Sequence, residues 1–371
     1  MDTPSSLIPW LDQPHAGETR SYVDRLGAVH QVPVRYPQVT ATPLAEAVEE
    51  LPGLYHTAFA LEGFHFCDRI DLYAVGNPHD GGLLVDTGHY DLCGMDFLDD
   101  LARATGGTWE NTEVFLTHLH DDHAGNVPYV LHQGARRVHR GSCRPFNPAA
   151  IQQFLTVTGA RAAGDEELDE FVAFLLGEGN PLFEESPAVH PVNDGASFDR
   201  AGWHLEVIET PGHTAEHRCL LDHERGVLFA GDHLIFGAPG VMQLQADQHL
   251  LANYLGSMTA LRGLGLQRAL LSHHEALIGT DAINRLIDRI VATHQRPLDK
   301  TMAILQTEGP ASVHATATAY DAARPGGFAS QPRGVRARRV ATLFGYLDYL
   351  VDTGRARRHQ DDSGTLVYEA A

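Results

Sequence analysis

Lysine is almost missing from this chain: Lys300 is the only one in 371 residues. A lysine Schiff base is therefore excluded as a mechanism everywhere but there. Positive charge is scarce altogether, with 27 Lys and Arg against 48 Asp and Glu and a formal net charge of -21. That balance argues against general adhesion to phosphate backbones or anionic lipid, and leaves nucleic-acid binding to a local basic patch at most. Cysteine is sparse as well. Cys67, Cys93, Cys143 and Cys219 show no C-x-x-C spacing, which speaks against a disulfide framework and a thiolate zinc knuckle and reads them as free, mostly buried thiols. No run of about 18 apolar residues occurs, and the start has no basic segment leading into an apolar one. The expectation is a soluble, cytoplasmic protein without a membrane segment. A hydrophobic content of 43% is ample for a large core, in one big domain plus a small one.

Residues 1–50 read as an extended, proline-containing arm with one helix at "PLAEAVEEL" (43–51). From 51 to 295 apolar, β-rich runs alternate with helical spacings. "FHFCDRIDLYAVGN" and "GGLLVDTG" flank a turn and read as a hairpin, "DFLDDLARATG" as a helix, and "NTEVFLT" as a strand. Residues 149–186 break this rhythm with two helices, "IQQFLTVTGA" and "EELDEFVAFLLGEGNPLF", and read as a helical insert. Strands return at "WHLEVIETPGHT", "RCLLDHERGVLFAGD" and "RALLSHHE", each running into a loop that carries histidine or aspartate. The tail, 296–371, reads as three helices followed by a hairpin, the order of a winged-helix module.

Histidine, by contrast, is abundant, and "FLTHLHDDHAGN" (115–126) crowds three of the 23 into six positions. With aspartate taken as equally common, an H-x-H-x-D-H window arises by chance in roughly 1% of such chains. Imidazole and carboxylate donors suit zinc and neighbouring divalent metals. An H-x-H pair after a strand can direct both rings to one ion while the following D-H turns toward a second, an arrangement for two metals about 3.5–4 Å apart. Two ions need more ligands than one loop supplies, and other strand ends offer them: His213 in "TPGH", Asp232 in "GDH" and His273 in "LLSHHE". The expected set places His118, His120 and His213 on one ion and Asp122, His123 and His273 on the other, with Asp232 between them.

The order "THLHDDH", "TPGH", "GDH" and a late histidine after a strand resembles the metallo-β-lactamase-fold hydrolase superfamily, over residues 64 to about 290. The resemblance implies an α/β (α+β) fold, an αββα sandwich with its site at one edge. It also implies an orienting role for Asp86 in "LLVDTG". A narrower similarity, carried by "FLLGEGNPLFEE", "NYLGSMTALRGLG" and "ATHQRPLDKTMAIL", is to the branch of lactamase-β-like protein 2, which has a helical insert and a C-terminal winged helix. Where that branch has Gly-His-Gly, this chain has Ser272-His273-His274, and alignment favours His273 as the ligand.

Water held between two cations loses much of its proton affinity and can attack a carbonyl or phosphoryl centre. The leading expectation is a dinuclear zinc hydrolase, with manganese or iron as alternative occupants, acting on a small acyl substrate such as a thioester, lactone or other carboxylic ester. Asp122 is the expected catalytic group, orienting the nucleophile or taking its proton. His89, Tyr254 and His274 are candidates for the pocket, and His217 for a supporting role. Two further readings use parts of the same site: a phosphodiesterase or ribonuclease, favoured by the arginine-rich "RGVRARR" (333–339), and a mononuclear iron persulfide dioxygenase. A regulator that binds DNA through the winged helix is a third class, and a homodimer contact is left open.

Overall fold

A strand whose odd and even residues are both apolar must be covered on both faces, and several segments of this chain have that pattern. The computed structural model describes residues 19–23, 29–33, 40–62, 67–89, 95–142, 148–165, 168, 189–236, 241–246 and 248–371. A small hairpin, β1 (Thr19–Val23) with β2 (Val29–Pro33), forms a sheet of its own. The first large sheet runs, in spatial order, β3 (Thr40–Leu51), β4 (Leu54–Glu62), β5 (Arg69–Asn77), β6 (Gly81–Val85), β7 (Thr112–Phe115), β8 (Arg137–Gly141) and β9 (Val189–Val192). Pairing is antiparallel from β3 to β6 and parallel from β6 to β9. The second sheet runs β10 (Ser197–Arg200), β11 (Trp203–Glu209), β12 (Arg218–Asp222), β13 (Val227–Gly231), β14 (Arg268–Leu271) and β15 (Leu277–Ile278). Only β13 and β14 are parallel in it.

Alternate residues sort into different cores. Tyr73, Val75, Leu83, Val85 and Phe115 of the first sheet meet Trp203, Leu205, Val207, Leu220, Phe229 and Leu270 of the second, and all are buried between the sheets. The residues in between point outward: Ile70, Leu72, Leu84 and Val114 pack with α1 (Met95–Thr105) and α3 (Val127–His132). On the other side Cys219, Leu221, Leu228, Ala230, Ala269 and Leu271 pack with α5 (Leu250–Arg262) and α6 (Thr280–Thr293). Two sheets face to face with helices outside is the αββα sandwich.

The segment "PLAEAVEEL", expected as a helix, lies within β3. A tight turn at Pro52 and Gly53 returns the chain into β4, and register shifts near Ala45 and Val48 fit the segment into the ladder. Cross-strand pairing outweighs a helical propensity worth only tenths of a kcal/mol per residue. The first sheet therefore begins at Thr40, inside the region read as an arm. Of the two helices expected in the insert, the first is α4 (Pro148–Val157); the second lies outside the described residues.

After α6 come α7 (Gln295–Glu308), the short β16 (Ala311–Ser312), α8 (Val313–Tyr320), α9 (Arg333–Asp352), β17 (Ala356–Gln360) and β18 (Leu366–Ala370). The three strands form a sheet in the order β16-β18-β17. This tail shares its core with the second sheet's outer face: Leu298, Val340, Phe344 and Leu347 belong to one apolar cluster with Phe154, Leu228, Leu250 and Met258.

Candidate metal centre

Topology brings the candidate residues to one edge. Asp86 follows the end of β6, and residues 117–123 follow the end of the parallel β7. Asp232 and Ser272-His273 follow the ends of the parallel pair β13 and β14, and β11, which runs the same way as β13, leads to His213.

The loop after β7 is clasped to the loop after β6. Asp86, at a left-handed φ of 64°, accepts hydrogen bonds at 2.8 Å each from the Thr117 amide, the Thr117 hydroxyl and His123 Nδ1. The Thr87 amide and hydroxyl donate to the His123 carbonyl at 2.6 and 2.9 Å. Asn126 closes the clasp, its Nδ2 donating to the Thr87 carbonyl at 2.9 Å. Between these anchors α2 (Asp121–Ala124) makes a single helical turn. Gly231, just before Asp232, has φ 49° and no room for a side chain: a Cβ there would lie 2.7 Å from Thr117 and 2.8 Å from His217 Nε2. Gly212, just before His213, leaves space for the ring of Tyr254, which a Cβ would meet at 2.3 Å.

Each ring is turned so that one nitrogen faces its neighbours across the edge. His118 Nδ1 donates to the Thr117 hydroxyl at 3.1 Å, which frees Nε2. His120 Nδ1 then stands 2.9 Å from His118 Nε2 and 3.0 Å from His213 Nε2. Three ring nitrogens at hydrogen-bond distance around one point, two of them competing for a single partner, are what a shared cation resolves. Asp232 presents Oδ2 to His213 Nε2 at 3.5 Å and Oδ1 to His123 Nε2 at 3.3 Å and His273 Nε2 at 3.1 Å. Asp122 Oδ2 lies 3.3 Å from His273 Nε2 and 3.9 Å from His123 Nε2. His273 Nδ1 donates to the Arg69 carbonyl at 2.9 Å, so its Nε2 also faces the edge.

The buried His123 Nε2 and Asp232 Oδ1 have no hydrogen-bond partner, although they face each other. Such orphans inside a protein call for a group not made of protein. His118, His120, His213 and Asp232 form one cluster of donor atoms, all within 4.8 Å of one another, and His123, Asp232 and His273 form another. The donor set fits divalent metal: His118, His120 and His213 would hold it on one side of Asp232, and Asp122, His123 and His273 on the other.

Electrostatics agrees with that fit. Burial, reinforced by the imidazoles of His123 and His120, holds His118 well below the usual histidine range. Burial and His120 pull His213 down to about 3, so both rings stay neutral, the form in which imidazole ligates. At the other position burial opposes charge on both rings, but the carboxylates of Asp232, Asp86 and Asp122 outweigh it and raise His123, and those of Asp232 and Asp122 do the same for His273. A cation held there would take the place of the protons those carboxylates attract.

The other sequence candidates fall elsewhere. Tyr254 is fully buried in the helical core and donates its hydroxyl to the His233 carbonyl at 2.9 Å, so it is not a pocket group. His89 is fully buried as well. His274 is half-buried and meets the exposed ring of Phe236 edge-on at 4.5 Å. His217 lies beside His118, ring centroids 5.1 Å apart, and shares a 2.8 Å hydrogen bond with Thr210. One residue at the site was missed. Cys67, read as a free, mostly buried thiol, has its sulfur within 4.8 Å of ligand atoms of Asp122 and His273. Burial raises this thiol's pKa, with a hydrogen bond to His273 acting against it. The signal was available in the hairpin: β5 is antiparallel to β6, so the residues that begin β5 return to the edge where Asp86 ends β6.

An αββα sandwich with five histidines and two aspartates converging at one sheet edge defines a metal-site protein of that fold. The chain belongs to the metallo-beta-lactamase superfamily, whose family model matches residues 67–273. It is similar to a beta-lactamase domain protein from Burkholderia ambifaria, with a TM-score of 0.63 at 19% identity over 88% of this chain and 95% of that one. A metallo-beta-lactamase family protein from Thermus thermophilus gives a TM-score of 0.58 at 23% identity, over 86% and 99%. An atrochrysone carboxyl ACP thioesterase from Cryptosporiopsis sp. is 24% identical over 53% of this chain and 48% of its own length. A lactamase-like protein from Penicillium aethiopicum is 30% identical over 64% of this chain and 62% of its own. The chain thus spans about half the length of most of the curated relatives it matches.

Proposed function

We propose that this chain is a dinuclear zinc hydrolase of small acyl substrates, thioesters foremost. The observation that carries the reading is Asp232, whose two oxygens face the two histidine groups from a buried position. A carboxylate so placed can join two ions. The thioesterase names among the relatives support acyl chemistry, and nitrogen and oxygen donors in small buried groups suit zinc.

When bound, the ion pair supplies Lewis acidity and lowers the pKa of a coordinated water. The chain's own contributions are positional. Asp86, Thr117 and the Arg69 carbonyl fix the orientation of His123, His118 and His273. Asp122, with 18% of its side chain exposed, is the more open of the two carboxylates and the one able to accept a proton from the attacking water. His274 and Phe236 stand beside His273 and give the acyl group a partly apolar flank.

Helix α4 in the insert and the tail's order of helices and hairpin support placing the chain in the branch with a C-terminal winged helix. Two of the arginines that would speak for nucleic acid are engaged within the fold. In "RGVRARR", Arg336 is buried against Asp165 at 2.8 Å, while Arg339 pairs with Asp321 at 3.1 Å and lies over the ring of Tyr320.

Metal content per chain, paired with a screen of thioester, lactone and phosphodiester substrates before and after Asp122→Ala, tests the reading. Two zincs and an acyl hydrolysis that falls by at least about 100-fold in the variant are expected. One iron per chain, or activity confined to phosphodiesters, overturns it.

A further inference from the structure

We infer that Cys67 is a thiolate ligand at the Asp122–His273 side of the centre, adding a sulfur donor to its nitrogens and oxygens. The inference rests on the dinuclear reading above and deepens it.

Three features support the assignment. Cys67 Sγ and the ligand atoms of Asp122 and His273 lie within 4.8 Å of one another, a span open to ligands of one ion whose bonds are about 2.0–2.3 Å long. The approach is also built from backbone, not from a chance rotamer. Cys67 stands two residues before β5, whose Asp71 amide donates to the Ser272 carbonyl at 2.7 Å while His273 donates to the Arg69 carbonyl at 2.9 Å. These links fix the start of β5 against the residue that carries the ligand nitrogen. Finally, His123 Nε2 and Asp232 Oδ1, buried and without hydrogen-bond partners, lie against the same His273.

Cys219 shows what an inert cysteine looks like in this fold. It is fully buried in the helical core, and its sulfur meets Thr210 Oγ1 at 3.3 Å and the Ala230 carbonyl at 3.5 Å. Cys67 instead faces a carboxylate and an imidazole. With Cys67 added, the Asp122 side has five protein donors, counting the shared Asp232. Open coordination then falls to the His118, His120 and His213 side, where His120 is only half-buried. A sulfur donor also favours zinc or cobalt over manganese or magnesium, and makes metal retention sensitive to thiol alkylation.

The test uses full-length protein stripped of metal and reloaded with two equivalents of cobalt(II). Wild type is expected to show visible ligand-field bands together with a near-ultraviolet sulfur-to-cobalt charge-transfer band. Cys67→Ser is expected to lose the near-ultraviolet band and keep the visible ones. Visible bands with no charge-transfer band in wild type, or a band that survives in Cys67→Ser, overturn the inference and leave the dinuclear reading standing. Absence of visible bands overturns both. Should the variant fail to fold, iodoacetamide labelling of wild type decides, read by mass spectrometry at the peptide carrying Cys67: zinc is expected to protect it, and equal labelling with and without zinc overturns the assignment.

Discussion

Asp86 touches no expected ion, yet it receives three hydrogen bonds from the loop that carries four of the ligands. Its left-handed backbone costs on the order of 1 kcal/mol, which those bonds offset. Asp86→Asn replaces one acceptor oxygen with an NH2 group, setting a donor against the Thr117 hydroxyl or His123 Nδ1. The expected outcome is a loss in zinc affinity of about 10- to 100-fold with little change in melting temperature, measured by competition with a chromophoric chelator. An affinity unchanged from wild type would show that His123 needs no partner to hold its ring. Residues of this kind were legible in advance because H-x-H-x-D-H, "TPGH", "GDH" and "DTG" are local in the chain. Cys67 was not legible from any local motif: His65, Asp68 and Asp71 stand near it in the chain without a ligand spacing that singles it out, and only the pairing of β5 with β6 carries it to the edge.

The strands that position the site were legible for a related reason: two-faced burial leaves an uninterrupted apolar run between turn residues, as in "LLV" and "VLFAG". β3 was not, because its exposed residues mix apolar Leu44 and Val48 with Glu46 and Glu49 and so break the alternation of a strand, and its helix-like spacing is decided by a partner strand. The junction of α6 and α7 offers a measurable consequence of burial. His294 lies there, 2% exposed, sharing a 3.0 Å hydrogen bond with Tyr346 of α9, and burial pulls its pKa down to about 4 from the ordinary 6.5. A lowered folded-state pKa means that the unfolded chain binds the proton first. The stabilisation is full above about pH 6.5 and is lost as pH falls toward 4, by on the order of 3 kcal/mol. Urea unfolding at pH 7.5 and pH 5 should show about 2 kcal/mol of this loss, and His294→Gln should flatten it. Equal pH dependence in the two proteins would assign the acid sensitivity to other groups.

On the scale of the whole molecule, the tail is joined to the sandwich by more than the linking helix. Its apolar residues share one cluster with the outer face of the second sheet, and a buried polar contact ties it to the insert. There Asp165 accepts from Arg336 Nη1 at 2.8 Å and from His314 Nε2 at 2.9 Å, all three side chains being at most 13% exposed. Composition and periodicity could mark 296–371 as a change in character, but they could not show this joint, because its partners are 149 and 171 residues apart in sequence. A shared core predicts that insert, sandwich and tail unfold together. Asp165→Ala removes the carboxylate that Arg336 faces from a buried position, at an expected cost of about 3 kcal/mol. Calorimetry should then record one transition in both proteins, shifted down in the variant. Two resolved transitions in wild type would mean that the tail folds as an independent unit. In that case its contacts with the sandwich would be a docking interface and not a common core, and Asp165→Ala would lower only the transition that carries α8 and α9.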